Sequence, residues 1–134
     1  MPEFKIKFFE NLKKLKKQKK KFKQDKIFWE SAGYTLEKKE NIFHIFNKDI
    51  HLSSFSPNLL FTATSVLINN EYNFSINEPY VMIDIGYNIG ITSLIFAQNE
   101  NIKQIYGFEP FKPTYNNALE NLSQNPLLSS KIRL

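Results

Sequence analysis

The sequence predicts an α/β chain whose second half builds a parallel sheet, and three observations carry that prediction. From Tyr80 the chain alternates an apolar strand-length run, a glycine-bearing turn, a compact helical segment, a second strand run and a second helical segment. The first run, Val81-Met82-Ile83-Asp84-Ile85, is almost continuously apolar, the texture of a strand buried on both faces. Charge is segregated as well. Residues 1–26 hold eleven lysines against three acids, a net of +8, whereas residues 27–134 hold seven basic and ten acidic residues, a net of −3. These features divide the chain into a basic arm over 1–33, a connecting unit over 34–79 and the parallel-sheet unit over 80–134.

With 134 residues, 42% of them hydrophobic, the chain can bury one core and not two. It has no cysteine, which excludes a disulfide framework, a thiolate metal site and a cysteine nucleophile. His44 and His51 are too few for a histidine-based zinc site without carboxylate help, so no metal is expected. No apolar run approaches the ~20 residues that span a bilayer, and the N-terminus lacks the apolar core and cleavage site of a signal peptide. The expected location is the cytoplasm, with peripheral association at the inner membrane face as an extension of that reading.

The arm reads as a helix. Phe4, Phe8, Leu12 and Leu15 recur at intervals of four and three, Phe22 continues the stripe, and no glycine or proline interrupts residues 3–32. Lysines cover the remaining faces, and like charges at i,i+4 such as Lys13/Lys17 oppose an isolated helix by ~0.2–0.5 kcal/mol per pair. Trp29 with Phe28 is expected to anchor the arm to the body. The lysines admit three readings: a solvated basic helix or tail, an arm over residues 4–26 attracted to anionic lipid, and a nucleic-acid contact. The last is disfavoured by the absence of arginine in the arm and of a basic patch on the body.

Asn41–Phe46 and Ile50–Ser53 are short and rich in β-formers, and Asn47-Lys48-Asp49 between them predicts a hairpin that holds both histidines structurally. Ser56-Pro57 then supplies a helix start, followed by an apolar face of Leu59, Leu60, Ala63, Val66 and Leu67. Beyond the first parallel strand, Ile91–Ala97 reads as a helix and Ile105–Phe108 as a strand. Pro113–Leu122 reads as a helix, and Lys131–Leu134 as the opening of a third strand.

The junction of the first strand and its helix carries the chemistry. A nucleoside-bearing cofactor at the end of a parallel sheet needs a sharp glycine turn, a helix N-terminus beside it, and an acid ending the second strand to accept ribose hydroxyls. Gly86 and Gly90 flank the turn, and Glu109 follows Gly90 by nineteen residues. The turn Asp84-Ile85-Gly86-Tyr87-Asn88-Ile89-Gly90 is not the dinucleotide fingerprint, because an acid precedes its first glycine and the two glycines stand four apart. A carboxylate there repels a pyrophosphate and suits a cofactor with a cationic centre and a free ammonium. That ranks S-adenosylmethionine (SAM) above NAD. As strand-end acids, Asp84 and Glu109 also have an ordinary reading as partners of adjacent helix dipoles.

Asp84-Ile85-Gly86-x-Asn88-x-Gly90-x-x-Ser93-Leu94, then Tyr106-Gly107-Phe108-Glu109-Pro110 and Asn121-Leu122, resembles the FkbM-type methyltransferases over residues ~56–134. The resemblance implies a Rossmann-like SAM methyltransferase domain, present here as its N-terminal portion, that transfers a methyl group to a hydroxyl of a sugar, glycan or other small-molecule acceptor. It implies that Asp84, Gly86, Asn88 and Gly90 form the loop around the methionine part of SAM, that Glu109 binds the ribose hydroxyls, and that Pro110 shapes the turn beside them. Position 87 is usually small in the family. Here it is Tyr87, whose ring is expected beside the cofactor. The rest of a seven-stranded sheet, the adenine contact, the acceptor pocket and any catalytic base would come from outside these motifs, through a partner or complementary fragment, so no catalytic residue is assigned. The alternative is a non-catalytic remnant or interaction protein that docks through its basic arm.

Overall fold

The computed structural model describes residues 2–72 and 76–134, with side chains described from residue 10 onward. The chain opens with one long helix, α1 (Pro2–Ser31). Its first apolar residues, Phe4, Ile6, Phe8 and Phe9, lie outside the described side chains. The helix stops at Gly33, whose φ of +84° lets the chain reverse. Gly33 N donates to Glu30 O at 3.1 Å and Tyr34 N to Trp29 O at 3.0 Å, the paired bonds of a Schellman ending. Tyr34 then meets the Trp29 ring edge-on at 5.5 Å, and Trp29 is buried. Phe22, two turns earlier, packs on Phe43 at 6.3 Å between ring centroids. Trp29 and Phe22 therefore fasten the arm, as the sequence suggests for Trp29, whereas Phe28 is largely exposed beside it.

Three antiparallel strands follow, β1 (Thr35–Lys39), β2 (Ile42–Phe46) and β3 (His51–Ser54), in the order β1-β2-β3. The predicted hairpin is β2–β3, closed by Asn47 Oδ1 accepting from the amides of Asp49 and Ile50 at 2.9 and 3.0 Å. Strand β1 is an addition to the sequence reading. Thr35-Leu36-Glu37-Lys38-Lys39 sends a single apolar residue inward, too little to register as a strand. Leu36, Ile45 and Leu52 stand opposite one another across the three strands and are all fully buried, which makes them the row that joins this sheet to the core.

His44 and His51 occupy the outer face of the hairpin, with Nδ1 of one 3.2 Å from Nε2 of the other. At that separation one hydrogen bridges the pair, so at least one ring is neutral. Partial burial, then the nearby charges of His44 and Lys39, hold the His51 pKa below its ordinary 6.5. The unfolded chain therefore binds protons more readily than the native one as pH falls through 6.5, and stability declines there. Thermal melts at pH 7.5 and pH 5.5 are expected to show this loss, and His51→Gln to flatten the profile in that window.

Helix α2 (Asn58–Ala63) starts where Asn58 N donates to Ser56 Oγ at 3.2 Å, and it runs on through a wider π-helical stretch, Thr64–Ile68. Leu59, Ala63 and Val66 of its predicted apolar face are buried. Then come β4 (Tyr80–Ile85), α3 (Ile91–Ala97), β5 (Ile102–Phe108), α4 (Lys112–Gln124), α5 (Pro126–Ser129) and β6 (Ile132–Arg133). The strands β4, β5 and β6 are parallel and lie in sequence order, so the chain is of the α/β class with a basic helix and a hairpin ahead of its parallel sheet. Lys131 Nζ donates to the carbonyls of Ala97 and Asn99, both at 2.9 Å, and so ties the entry of β6 to the end of α3.

Two successive crossovers in one direction and of one hand put their helices on the same face of the sheet. That geometry corrects the expectation that β4 is buried on both sides. Tyr80, Met82 and Asp84 turn toward the helices, whereas Val81, Ile83 and Ile85 are 56%, 66% and 85% exposed on the other face. Tyr106 and Phe108 of β5 are exposed alongside them, and β4 has no second strand neighbour among the described residues. The apolar run is continuous because it has two faces to cover, and only one is covered here.

Helix α4 joins the two sheets. Asn117, Asn121 and Asn125 recur at intervals of four and so share one face. Asn117 Nδ2 donates to Ser53 O at 2.8 Å, and Asn121 Oδ1 accepts from Ser53 N at 2.7 Å. Asn125 accepts from His51 N at 2.8 Å and donates to His51 O at 2.6 Å. Side-chain amides thus take the place of a fourth strand along the outer edge of β3.

Candidate cofactor loop and its neighbouring cleft

The parallel strands end together, Asp84 opposite Gly107 and Ile85 opposite Phe108, so the loop after β4 and the turn after β5 meet at one end of the sheet. The amides of Gly86 and Tyr87 both donate to Phe108 O, at 3.0 and 3.1 Å. Asn88, at a φ of 54°, donates its amide to Glu109 Oε2 at 2.9 Å, and Phe111 N donates to Glu109 Oε1 at 2.9 Å. Gly90 N donates to Tyr87 O at 3.0 Å, and Gly90, at a φ of +85°, turns the chain into α3. Asp84 Oδ2 accepts a 2.6 Å hydrogen bond from Ser93 Oγ, which is fully buried. Asp84, Gly86, Tyr87, Asn88, Gly90 and Glu109 are thereby brought into one cluster, with Pro110 exposed next to Glu109.

Two chemical properties follow. The amides at 86, 87, 88 and 90 are all turned to protein acceptors, so this loop is not an anion-binding nest. Each oxygen of the Glu109 carboxylate accepts one backbone N–H, from Asn88 and from Phe111. Of its roughly four lone-pair positions, about two are left for external hydroxyls. A side chain at Gly86 would meet no atom within 4 Å, so the backbone there is open to close approach.

Tyr87 differs from expectation. Its ring does not stand at the mouth of the loop but is turned inward and only 2% exposed. It fills the gap between Gly90 and Gly107. A Cβ on Gly90 would lie 2.5 Å from Tyr87 Cε1, and one on Gly107 would lie 2.2 Å from Tyr87 Cδ2. The phenol oxygen is buried with no hydrogen-bond partner among the described residues. Burial, helped by the negative charge of Asp84, pushes its pKa far above the ordinary value, so the phenol stays protonated. The ring is a structural plug under the loop. The glycine of Tyr106-Gly107-Phe108 was visible in the sequence as a motif position, but its service to position 87 was not.

Beyond Asn88 and Ile89 lies a cleft of about 560 Å³, walled by the end of β3, the start of α2 and the first turns of α4. Its lining is rich in amides and hydroxyls, among them Asn58, Asn88, Asn116 and Thr114, with Glu120 as its charged residue and Phe55 as an exposed ring. Apart from Asn88, already placed in the cofactor loop, the sequence assigned none of these residues, because they come from three elements with no shared motif. Asn121 belongs to the same architecture. Fully buried, it donates from Nδ2 to Ile89 O at 2.9 Å while holding Ser53, so it connects β3 to the loop. No group of histidine, cysteine or acid side chains suited to a metal ion occurs among the described residues, and no helix among them is long and apolar enough to cross a membrane.

No protein-family model matches the chain, and no curated protein does. Among solved structures, the chain is similar to one described as the crystal structure of M. jannaschii tRNA m1G37 methyltransferase, with 19% identity and a TM-score of 0.40. That likeness covers 75% of this chain and 28% of the other, so the chain spans little more than a quarter of that structure's length.

Proposed function

We propose that the loop 84–90 and Glu109 form one wall of a SAM site, and that the chain is a methyltransferase of the FkbM type acting on a hydroxyl acceptor. The observation that carries this reading is the electrostatic character of the loop. Two carboxylates stand at the strand ends while the surrounding amides are already spent inside the protein. Such a site repels phosphate and favours a cation, which fits the sulfonium and ammonium of SAM better than a dinucleotide. Glu109 would accept the ribose hydroxyls on its remaining lone pairs. Gly86, Asn88 and Gly90 would shape the loop around the methionine portion, with Asp84 as its charge and Pro110 turning the chain away. Tyr87 would support that loop from beneath rather than touch the cofactor with its ring. When bound, SAM supplies an electrophilic methyl group, and the part these residues play is to bind and orient it.

The acceptor would enter the cleft beside Asn88. Amides, hydroxyls, one carboxylate and an exposed aromatic ring suit a neutral, hydroxyl-rich molecule such as a sugar or glycan. A second reading, a non-catalytic interaction module, is favoured by one specific observation: the exposed apolar face of Val81, Ile83, Ile85, Tyr106 and Phe108 beside an edge of β4 that no strand among the described residues pairs with. A partner or complementary fragment that added strands to β4 and helices to that face would cover both.

Calorimetry of the full chain with SAM and with its demethylated product tests the first reading. Binding is expected, and Glu109→Gln is expected to weaken it at least tenfold, since charge-assisted hydrogen bonds to the ribose contribute ~1.5–3 kcal/mol. Absence of heat at ~1 mM ligand, where only ~4 kcal/mol of binding is needed, would sink the SAM assignment.

A further inference from the structure

The arm carries an inference that does not depend on the cofactor reading. Only Phe22, Asp25 and Trp29 of the described α1 side chains turn into the body, and every residue from 10 to 21 is exposed. At 1.5 Å per residue, that stretch alone projects ~18 Å past its last anchor. It holds Lys13, Lys14, Lys16, Lys17, Lys19, Lys20 and Lys21, with Lys23 on the next turn. None of these eight makes an ion pair among the described residues, where the arm's ion pair is Lys26 with Glu30 at 3.7 Å. The body behind the arm is net acidic, but its −3 over residues 27–134 is too small to balance the +8 of residues 1–26.

The arrangement of the helix identifies the class of partner. Leu12 and Leu15, three residues apart and therefore on neighbouring positions of one face, are 37% and 52% exposed. Lys16, Lys19 and Lys23 follow Leu12 at four, seven and eleven residues, so they continue the same face along the helix. Aliphatic side chains in line with long lysines match an interface whose surface is anionic and whose interior is apolar, with lysine stems lying along the boundary and ammonium groups at the headgroups. A nucleic acid rewards neither leucine. The stretch also has no arginine for bidentate phosphate or guanine contacts, and no aromatic ring for stacking on bases.

We propose that α1 is a docking helix for an anionic lipid bilayer, lying on the membrane surface through the face of Leu12, Leu15, Lys16, Lys19 and Lys23 and holding the α/β body beside it. The lysines on the opposite side of the helix, Lys14, Lys17 and Lys21, stay in water.

Flotation of the full chain with vesicles of phosphatidylcholine alone, and of phosphatidylcholine mixed with phosphatidylserine, tests this at low and high salt. Binding is expected to the mixed vesicles and to fall with salt. The triple variant Lys16→Gln, Lys19→Gln, Lys23→Gln is expected to weaken it on the order of 100-fold, at about 1 kcal/mol per lysine near the surface. Leu12→Ser with Leu15→Ser is expected to remove the part of the binding that survives high salt. All five positions are exposed, so the variants keep the fold, which unchanged melting of the body would verify. Equal binding to both vesicle types overturns the proposal, as does an unaffected triple variant, or tighter binding to duplex RNA or DNA than to the mixed vesicles at the same salt.

Discussion

Gly107→Ala is expected to destabilise the protein by about 3 kcal/mol, the upper part of the range for overpacking a well-filled interior. The added methyl would sit 2.2 Å from Tyr87 Cδ2, 2.8 Å from Cε2 and 3.0 Å from Cγ, all of them atoms of one rigid ring. The ring cannot retreat, because its opposite edge lies against Gly90, where a Cβ would meet Cε1 at 2.5 Å. For a domain whose stability is ~5–15 kcal/mol, that loss is visible as a large shift in the urea midpoint. The cause is testable by a double-mutant cycle. Tyr87→Ala alone is expected to cost ~3–5 kcal/mol by emptying the space. The double variant with Gly107→Ala should cost no more than Tyr87→Ala itself, because the clash has lost its partner. Tyr87→Phe, which removes only the buried hydroxyl that has no hydrogen-bond partner, is expected to gain about 1 kcal/mol. Additive losses in the cycle would show that the ring is not wedged between the two glycines.

This pair also marks the limit of what the residues alone disclose. Periodicity placed a helix in the arm over residues 1–33, where the structure has it at Pro2–Ser31, and also the β2–β3 hairpin and the βαβαβ order, because each has an apolar pattern dictated by its own face. The motif around Asp84, Gly86 and Glu109 was legible for the same local reason: a turn, a strand end and their charges lie within one crossover. The direction of the Tyr87 ring was not, since it is decided by a gap between Gly90 and a glycine twenty residues away on another strand. Strand β1 was hidden by its charged residues, and the exposed face of β4 by a run whose apolar residues read alike whether or not something covers them. The cleft was invisible because its walls meet only in three dimensions. Asparagines fared worst: Asn121 stood out only as a motif position with no role attached, and Asn117 and Asn125 look like an ordinary polar helix face until β3 is laid against them.

Asn121→Leu is the second change expected to have a large effect, and its consequence reaches the candidate site. The substitution keeps the branched heavy-atom shape but removes an acceptor from Ser53 N and a donor from Ile89 O. Both stay beside a fully buried position, where each orphaned backbone group costs ~1–3 kcal/mol, so the total is on the order of 3–5 kcal/mol. Losing the bond to Ile89 also frees the loop between Gly86 and Gly90 from β3. Amide exchange at residues 88–93 is therefore expected to accelerate by more than the global loss of stability requires. Asn117→Ala is the control. It removes only the bond to Ser53 O, so a cost of about 1 kcal/mol and unchanged loop exchange are expected. If Asn121→Leu and Asn117→Ala altered loop exchange equally, Asn121 would be one more rung joining α4 to β3. If only Asn121→Leu does so, one buried amide sets the position of the proposed cofactor loop from the far side of the helix.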